Sequence, residues 1–110
     1  MKYTKDNHKL VEYFYSFEDE DAFTDVVKDK YNTIAYYLKG KYHRTDGPAI
    51  EWANGDKEWY LNDKLHRTDG PAIERVSGSK SWWLNDKCYG KNDDFTNESW
   101  IRFVQLQILK

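Results

Sequence analysis

Short apolar and aromatic runs in the middle of the chain alternate with polar residues, in the pattern typical of β-strands. Pairs of turn-forming residues separate these runs: Lys39-Gly40, Asn54-Gly55, Asn62-Asp63, Ser77-Gly78 and Asn85-Asp86. Asn, Asp and Gly tolerate the positive φ that tight hairpin turns require, whereas a β-branched residue is strained there. The pattern therefore predicts short strands that are joined by hairpin turns into an antiparallel meander.

The N-terminal part of the chain has a different hydrophobic pattern. Residues 10–15 predict a strand, and Ser16 then precedes an acidic run. Apolar residues follow at helical spacing: Phe23, Val26, Val27 and Tyr31. This spacing predicts an amphipathic helix that ends near Asn32.

A second helix is predicted at the C-terminal end of the chain. Asp94 or Thr96 can cap it, and Glu98 lies in its first turn, where the helix dipole favours negative charge. Apolar side chains recur at helical spacing along it: Trp100, Phe103, Val104 and Ile108. The expected fold class is therefore α+β and mostly β, an antiparallel meander flanked by an N-terminal and a C-terminal helix.

An internal repeat organises the predicted meander. The nonapeptide HRTDGPAIE occupies residues 43–51 and returns at residues 66–74, and the wider similarity has a period of 23 residues. A period of roughly 20 to 50 residues is typical of stacked supersecondary units that cannot bury their apolar faces alone. We expect one domain, in which residues 1–35 form a strand and helix cap, residues 36–94 the repeats and residues 95–110 the second helix cap.

The tetrapeptide Thr-Asp-Gly-Pro occurs at residues 45–48 and again at residues 68–71. Asp can accept a hydrogen bond from its own backbone, Gly accepts unusual φ values, and Pro lacks the N–H that a strand ladder uses. Each copy is therefore expected to interrupt the sheet. The sequence leaves two forms open, a full reversal of the chain or a bend within one long strand.

The unit W-Y-L-N-D-K-L-H-R-T-D-G-P-A-I at residues 59–73 resembles the MORN-like repeats, in the variant marked by His-Arg-x-Asp-Gly-Pro-Ala. The resemblance covers residues 36–94, about half of the chain. It implies a sheet of successive β-hairpins that serves as a scaffold or interaction surface, with no common catalytic activity. Small proteins with this variant are frequent among bacteriophages and their bacterial hosts, so the resemblance also implies a phage-encoded protein.

The third copy of the repeat departs from this signature. Tyr89-Gly90 stands where the other copies have His-Arg, and residues 92–94 read Asn-Asp-Asp instead of Asp-Gly-Pro. We interpret it as a terminating repeat.

Charge and cysteine content exclude several classes of protein. The formal net charge is −2, and the repeated region holds as many acidic as basic residues. A nucleic-acid-binding protein normally has a basic excess, so we expect no nucleic-acid partner. Cys88 is the only cysteine, and no apolar stretch is long enough to span a membrane. We expect no disulfide, no membrane association and a cytoplasmic location.

Chemically active residues recur in the repeat: His43, Arg44 and Asp46, and then His66, Arg67 and Asp69. Copies that lie one period apart in a meander form a row, whereas acid–base catalysis needs groups that converge in a pocket. We therefore expect Arg to pair with Asp and His to donate to a backbone carbonyl, with ligand recognition as the alternative. The chain is predicted not to be an enzyme.

A metal site is not expected. It would have to recruit His43, His66 and Cys88, and the short ligand spacing typical of zinc sites is absent from the sequence. No glycine-rich phosphate loop occurs either, so no cofactor is predicted.

Aromatic residues recur next to each other in the repeat. Strand alternation predicts that Tyr36, Trp59 and Trp82 face the core together with leucines two residues later. The opposite face then carries Tyr37, Tyr60 and Trp83. Rings in a row can anchor a protein partner, because each brings a large contact area with few rotatable bonds. The alternative is that these rings stack along the sheet only for stability.

These features predict a non-catalytic interaction protein, a phage-encoded modulator or inhibitor of a host protein, with a component of antiviral defence as one candidate partner. The alternative function is a sponge that sequesters a small nucleotide signal, by stacking on the rings and binding phosphate through Arg44 or Arg67. A structural role in the virion is a third hypothesis. Unpaired sheet edges also suggest a homodimer.

Overall fold

The computed structural model describes residues 12–16 and 24–108 of the chain. This part of the chain forms strands, a short 3-10 turn and an α-helix. The elements are β1 (Glu12–Ser16), β2 (Thr24–Lys28), β3 (Ile34–Leu38), β4 (Lys41–Tyr42), β5 (Ile50–Glu51), β6 (Lys57–Glu58), β7 (Tyr60–Leu61), β8 (Lys64–Leu65), β9 (Ile73–Glu74), β10 (Lys80–Leu84), β11 (Lys87–Lys91), the 3-10 turn (Asn92–Asp94) and α1 (Asn97–Ile108).

The strands form an antiparallel meander, as the sequence predicts. The main sheet has the order β1-β2-β3-β5-β6-β9-β10-β11, so neighbours in space are largely neighbours along the chain. β4 pairs with the C-terminal end of β3, and β7 pairs with β8 in a small separate ladder. No helix in the described residues is long and apolar enough to cross a membrane.

The Asn-Asp pairs form the hairpin turns expected of them. Asn62 and Asp63 have φ angles of 50° and 66°, and Asn85 and Asp86 have φ angles of 47° and 69°. Positive φ at both central residues defines the type I′ turn, whose twist matches that of the flanking strands. The sequence signal therefore acts through the tolerance of Asn and Asp for left-handed backbone.

The Asp of each turn also ties its hairpin to the preceding one. Asp63 N donates to Tyr42 O at 2.9 Å, and Asp63 Oδ1 accepts from Tyr42 N at 2.7 Å. The next hairpin repeats both bonds between Asp86 and Leu65, each at 2.9 Å. These bonds continue the sheet beyond its regular ladder.

Thr-Asp-Gly-Pro bends a single strand and does not reverse the chain. β4 and β5 both pair with β3, and the backbone of Tyr36 bonds to both sides of the interruption. Tyr36 O accepts from His43 N at 3.0 Å, and Tyr36 N donates to Ala49 O at 2.8 Å. Residues 44–48 therefore form a loop that projects from the ladder with β3, between two residues that both bond to Tyr36. The second copy repeats both bonds, His66 N to Trp59 O at 3.1 Å and Trp59 N to Ala72 O at 2.8 Å.

The predicted N-terminal helix is wrong over the residues that can be compared. Residues 24–28, which include Val26 and Val27, form β2, while residues 17–23 lie outside the described residues. The apolar spacing that suggests a helix is also compatible with a strand, and β-branched side chains favour a strand. β2 hydrogen-bonds to β1 on one side and to β3 on the other, which a helix cannot do.

A tight turn follows β2 where the helix was expected to end. Asp29 Oδ1 accepts hydrogen bonds from Tyr31 N at 2.8 Å and Thr33 N at 3.1 Å, and Asn32 takes a φ of 70°. Tyr31, expected on the apolar face of the helix, is exposed in this turn. The N-terminal strand prediction is better supported, because β1 begins at Glu12 within the expected range.

The predicted C-terminal helix is confirmed as α1. Thr96 is its cap, since Thr96 Oγ1 accepts from Ser99 N at 3.1 Å and Ser99 Oγ accepts from Thr96 N at 2.9 Å. Asp94, the alternative cap, instead accepts from Lys91 N at 2.8 Å. The reciprocal bonds satisfy backbone donors at the start of the helix that would otherwise lack partners.

The core lies between α1 and the β10–β11 hairpin. Trp82, Trp100 and Val104 are buried, and Leu84, Tyr89, Phe95 and Phe103 pack against them. Burial of each large ring removes about 150–250 Å² from water, which makes this cluster a main source of stability. Ile108, the last residue of the predicted apolar stripe, is exposed.

Candidate binding surface

The motif arginines lie over aromatic rings of their own repeats. Arg44 Cζ is 3.9 Å from the ring centroid of Tyr36, and Arg67 Cζ is 3.8 Å from that of Trp59. A guanidinium over a ring is attracted by the negative charge of the ring face. Each arginine therefore covers the core-facing ring of its hairpin.

Each guanidinium is held by its own loop. Arg67 Nε donates to Asp69 Oδ1 at 2.8 Å, and Arg67 Nη1 donates to Glu74 Oε2 at 2.6 Å and to Pro71 O at 3.1 Å. The first copy has the same contacts: Arg44 Nε to Asp46 at 2.9 Å, Arg44 Nη1 to Pro48 O at 3.2 Å and Arg44 Nη1 to Glu51 at 3.5 Å. The expected pairing of Arg with Asp is present, and a glutamate joins it.

The glycine of the motif allows the arginine guanidinium to lie close to the backbone. A Cβ built on Gly47 would lie 2.8 Å from Arg44 Cζ, and one on Gly70 would lie 2.7 Å from Arg67 Cζ. Neither glycine has a positive φ, so the unusual backbone expected from the sequence is not what these positions require. The guanidinium needs the space that a side chain would fill.

The motif histidines accept a hydrogen bond, whereas the sequence predicted that they donate one. His43 Nδ1 accepts from Asn62 N, and His66 Nδ1 accepts from Asn85 N, both at 3.1 Å. The prediction missed that the following turn leaves a backbone N–H free at this point. Burial lowers the pKa of His66 from its ordinary value, which favours the neutral ring that can accept.

The two copies of the motif lie side by side along the sheet. A groove of about 370 Å³ lies between their loops; Arg44, Arg67, Trp59 and His66 line it, and His43 does not. Asp46 and Asp69 also line it and are largely exposed, with 83% and 72% of their side chains accessible. Glu51 and Glu74 contact the same two guanidinium groups from outside the groove, so the positive charge of the arginines is already compensated.

The third repeat replaces the arginine by the helix. Gly90 stands at the arginine position, and a Cβ there would lie 2.8 Å from Phe95 Cε2. Trp82, the equivalent of Trp59, packs its ring against Phe95 at 5.5 Å and Trp100 at 5.6 Å between centroids. The glycine therefore leaves room for Phe95, which lies just before α1.

The opposite face carries a row of side chains from three successive hairpins, which we call the aromatic file. Hairpin registers pair Tyr37 with Tyr42, Tyr60 with Leu65 and Trp83 with Cys88, and these six residues define the file. The Tyr42 ring lies between those of its neighbours, with its centroid 5.0 Å from that of Tyr37 and 5.3 Å from that of Tyr60. Within the described residues, no helix covers this face.

The sequence identified Tyr37, Tyr60 and Trp83 in the aromatic file but missed the residues between them. A two-residue turn fixes which residues face each other, so Lys39-Gly40 already implies the pairing of Tyr37 with Tyr42. All of the file is half-buried except Cys88, which is exposed and free. Tyr37 and Tyr42 stack, Tyr42 and Tyr60 meet at a tilt of 37°, and these rings still present area to solvent.

A buried carboxylate fixes the rings at the edge of the aromatic file. Glu58 is 8% exposed and accepts hydrogen bonds from Tyr60 Oη at 2.8 Å, Trp52 Nε1 at 3.0 Å and Arg75 Nη1 at 3.1 Å. Burial, and then the nearby Glu58 carboxylate, raise the pKa of Tyr60. Tyr60 therefore stays a neutral hydroxyl donor at physiological pH.

Comparison with known proteins found no relative of this chain. Neither the protein-family models nor the curated proteins nor the solved structures contain a match to this chain. Within the described residues, no group of three or more His, Cys, Asp or Glu could hold a metal ion. The geometry of the aromatic file and of the motif groove is therefore the basis for a function.

Proposed function

We propose that the chain is a non-catalytic protein-binding module, built from MORN-like hairpin repeats, that recognises its partner through the aromatic file. The proposed partner is a host protein, with a component of antiviral defence as the concrete candidate, and the chain acts as its modulator or inhibitor. This assignment follows the resemblance to phage-encoded proteins. The observation that supports it most is the run of three contacting tyrosine rings in the aromatic file, on a sheet face that no described helix covers.

The geometry of the aromatic file suits protein recognition. Cross-strand pairing and the bond from Tyr60 to Glu58 hold the rings in place before a partner arrives. Rings fixed in this way lose little conformational freedom on binding, which is the property of interface anchors. Trp83 is fixed in the same manner, because its Nε1 donates to Ser81 Oγ at 2.7 Å.

The nucleotide sponge has less support at the residues first considered for it. Arg44 and Arg67 each already bond to a backbone carbonyl and to carboxylates of their own loop. Phosphate would have to displace these partners from guanidinium groups whose side chains are only 22% and 18% exposed. The motif arginines therefore stabilise their own hairpins, and the aromatic file is the better binding surface.

A matched pair of charge insertions tests the aromatic file. Leu65→Lys places a cation in it, whereas Leu61→Lys places one on the opposite face of the same hairpin, and both leucines are half-buried. Pull-down from host lysate should lose the partner with Leu65→Lys and retain it with Leu61→Lys. Thermal unfolding of both variants checks that the fold survives equally.

Crosslinking gives the decisive readout for the same surface. Cys88 is the only cysteine, so a photoreactive maleimide labels the aromatic file alone. The control carries Cys88→Ser and Gln105→Cys, which moves the label to the exposed side of α1. We expect a discrete adduct from Cys88 that is absent with the control. Equal adducts from both positions, or loss of the partner with Leu61→Lys alone, would contradict the proposal.

A further inference from the structure

A second pocket, of about 240 Å³, lies at the end of β9, β10 and β11. Its lining consists of Ile73, Arg75, Ser79, Lys80, Ser81, Lys91 and Asn92. Three of these residues are cationic and none is acidic. Ile73 and Ser81 are directly opposite each other in the sheet, so they form an ordered floor.

The serines of this pocket have already used their acceptor oxygens. Ser81 Oγ accepts from Trp83 Nε1 at 2.7 Å, and Ser79 Oγ accepts from Ser77 Oγ at 3.3 Å. Neither Ser79 nor Ser81 donates its hydroxyl hydrogen to a described protein group. Both hydroxyls are therefore available to a ligand as donors.

The Asn92 amide and the Arg75 guanidinium also have hydrogens that no described group accepts. Asn92 Oδ1 accepts from Lys80 N at 3.1 Å, which leaves the Asn92 Nδ2 hydrogens free within the described residues. Arg75 Nη1 donates to Asp56 at 3.3 Å and to Glu58 at 3.1 Å, so the guanidinium is held in place. Arg75 Nε and Nη2 donate to no described group, and they form a fork suited to an oxyanion.

We propose that this pocket binds the phosphate group of a small ligand. Three cationic side chains and no carboxylate line it, and the Asn92 amide and the unbonded side of the Arg75 guanidinium can both donate hydrogen bonds into it. Glu74 opposes Lys80 across the sheet, and Asp56 and Glu58 bond to Arg75, so Lys91 carries the least compensated charge. A dianionic phosphate matches this donor set better than a single carboxylate does.

Trp83 extends the site beyond the phosphate. Its indole bonds to Ser81, which lines the pocket, and its half-buried ring also belongs to the aromatic file. A planar base could stack there, since base–aromatic stacking tolerates any base. Inorganic phosphate and nucleoside monophosphates are thus the two sources of the same group. This inference is independent of the proposed protein partner and of the motif arginines.

Titration of the full chain with inorganic phosphate and with adenosine monophosphate, followed by ¹⁵N NMR at low salt, tests the site. We expect saturable shifts of the amides of Lys80, Ser81 and Asn92. Lys91→Gln should weaken binding about tenfold through loss of a charge-assisted hydrogen bond. Ser79→Ala should weaken it less. Lys64→Gln, which removes the same charge from β8 outside the pocket, should leave the affinity unchanged.

The two ligands separate the sources of the phosphate. Tighter binding of the monophosphate, with a shift of the Trp83 indole N–H, identifies a nucleotide site, and equal affinities identify a site for free phosphate. The inference is overturned if neither ligand gives saturable shifts, or if Lys64→Gln weakens binding as much as Lys91→Gln. No protein partner enters this assay, so its failure leaves the aromatic file untouched.

Discussion

At the scale of single residues, the repeated motif holds an arginine over an aromatic ring. Arg67 lies over Trp59, its Nε and Nη1 are neutralised by carboxylates, and Gly70 leaves the space that the guanidinium occupies. Each contact is modest in energy, because partly exposed ion pairs contribute only about 0–1 kcal/mol. Their combination fixes one geometry of the loop, and the first copy repeats it.

A double-mutant cycle tests the space reserved by Gly70. Gly70→Ala should lower the free energy of unfolding by about 1–2 kcal/mol, because the new methyl group displaces Arg67 from Trp59. In an Arg67→Ala background the same substitution should cost little, since the clash is gone. Urea unfolding of the four proteins measures the coupling; equal costs in both backgrounds would refute the role assigned to the glycine.

Acid should weaken the hairpin tips through His66. Its pKa in the folded chain is lowered by burial, so the unfolded chain binds more protons near its ordinary value of 6.5. Stability is therefore complete above that pH and decreases as pH falls towards the folded pKa. Protonation of Nδ1 also breaks the bond from Asn85 N.

Melting curves between pH 7.5 and 5 measure this effect. His66→Gln, which retains an acceptor without titrating in this range, should lose less in Tm than the parent as the pH falls. Identical pH profiles of the two proteins would show that the imidazole does not contribute in this way.

At the scale of elements, turn residues and strand pairing decide whether a segment forms a helix or a strand where the hydrophobic pattern fits both. The Asn-Asp turns and α1 could be predicted, because positive φ and helical spacing are local properties of the sequence. The N-terminal helix was mispredicted, because Val26 and Val27 fit either structure and only pairing with β1 and β3 selects the strand. Local sequence does not contain that pairing.

The cap of α1 is a test at this scale. Thr96→Ala removes the acceptor for Ser99 N and should destabilise the fold by about 1 kcal/mol. Asp93→Ala is the control, because Asp93 is exposed and makes no described side-chain bond. Chemical denaturation of both variants checks the expectation, and a larger loss with Asp93→Ala would be evidence against the assigned cap.

At the scale of the whole molecule, a thin slab displays two different faces. The molecule measures 43 × 34 × 18 Å, which leaves room for little more than the sheet and one packed layer. One face carries α1 and the motif loops, and the other carries the aromatic file. Alternation predicted that the two sets of rings lie on opposite faces, but it left open which face the helix covers. The close approach at Gly70, the acceptor role of His66 and the buried Glu58 depend on side chains brought together by the sheet.

The edges of the slab bear on the expected homodimer, which stays a prediction. β11 ends the sheet on one side, and Lys87 and Lys91 are exposed along it. Charged side chains on an edge strand oppose pairing with a second copy. A dimer, if formed, is therefore better served by the faces than by this edge.

The central claim is that each copy of the motif supports its own hairpin and that the two copies do not form one shared site. The most direct test is the free energy of unfolding in urea of Arg44→Ala, Arg67→Ala and the double variant. Because each guanidinium bonds only to groups of its own repeat, the two losses should add to within about 0.5 kcal/mol. A coupling well above 1 kcal/mol would mean that the arginines act on a common centre, and would contradict the account.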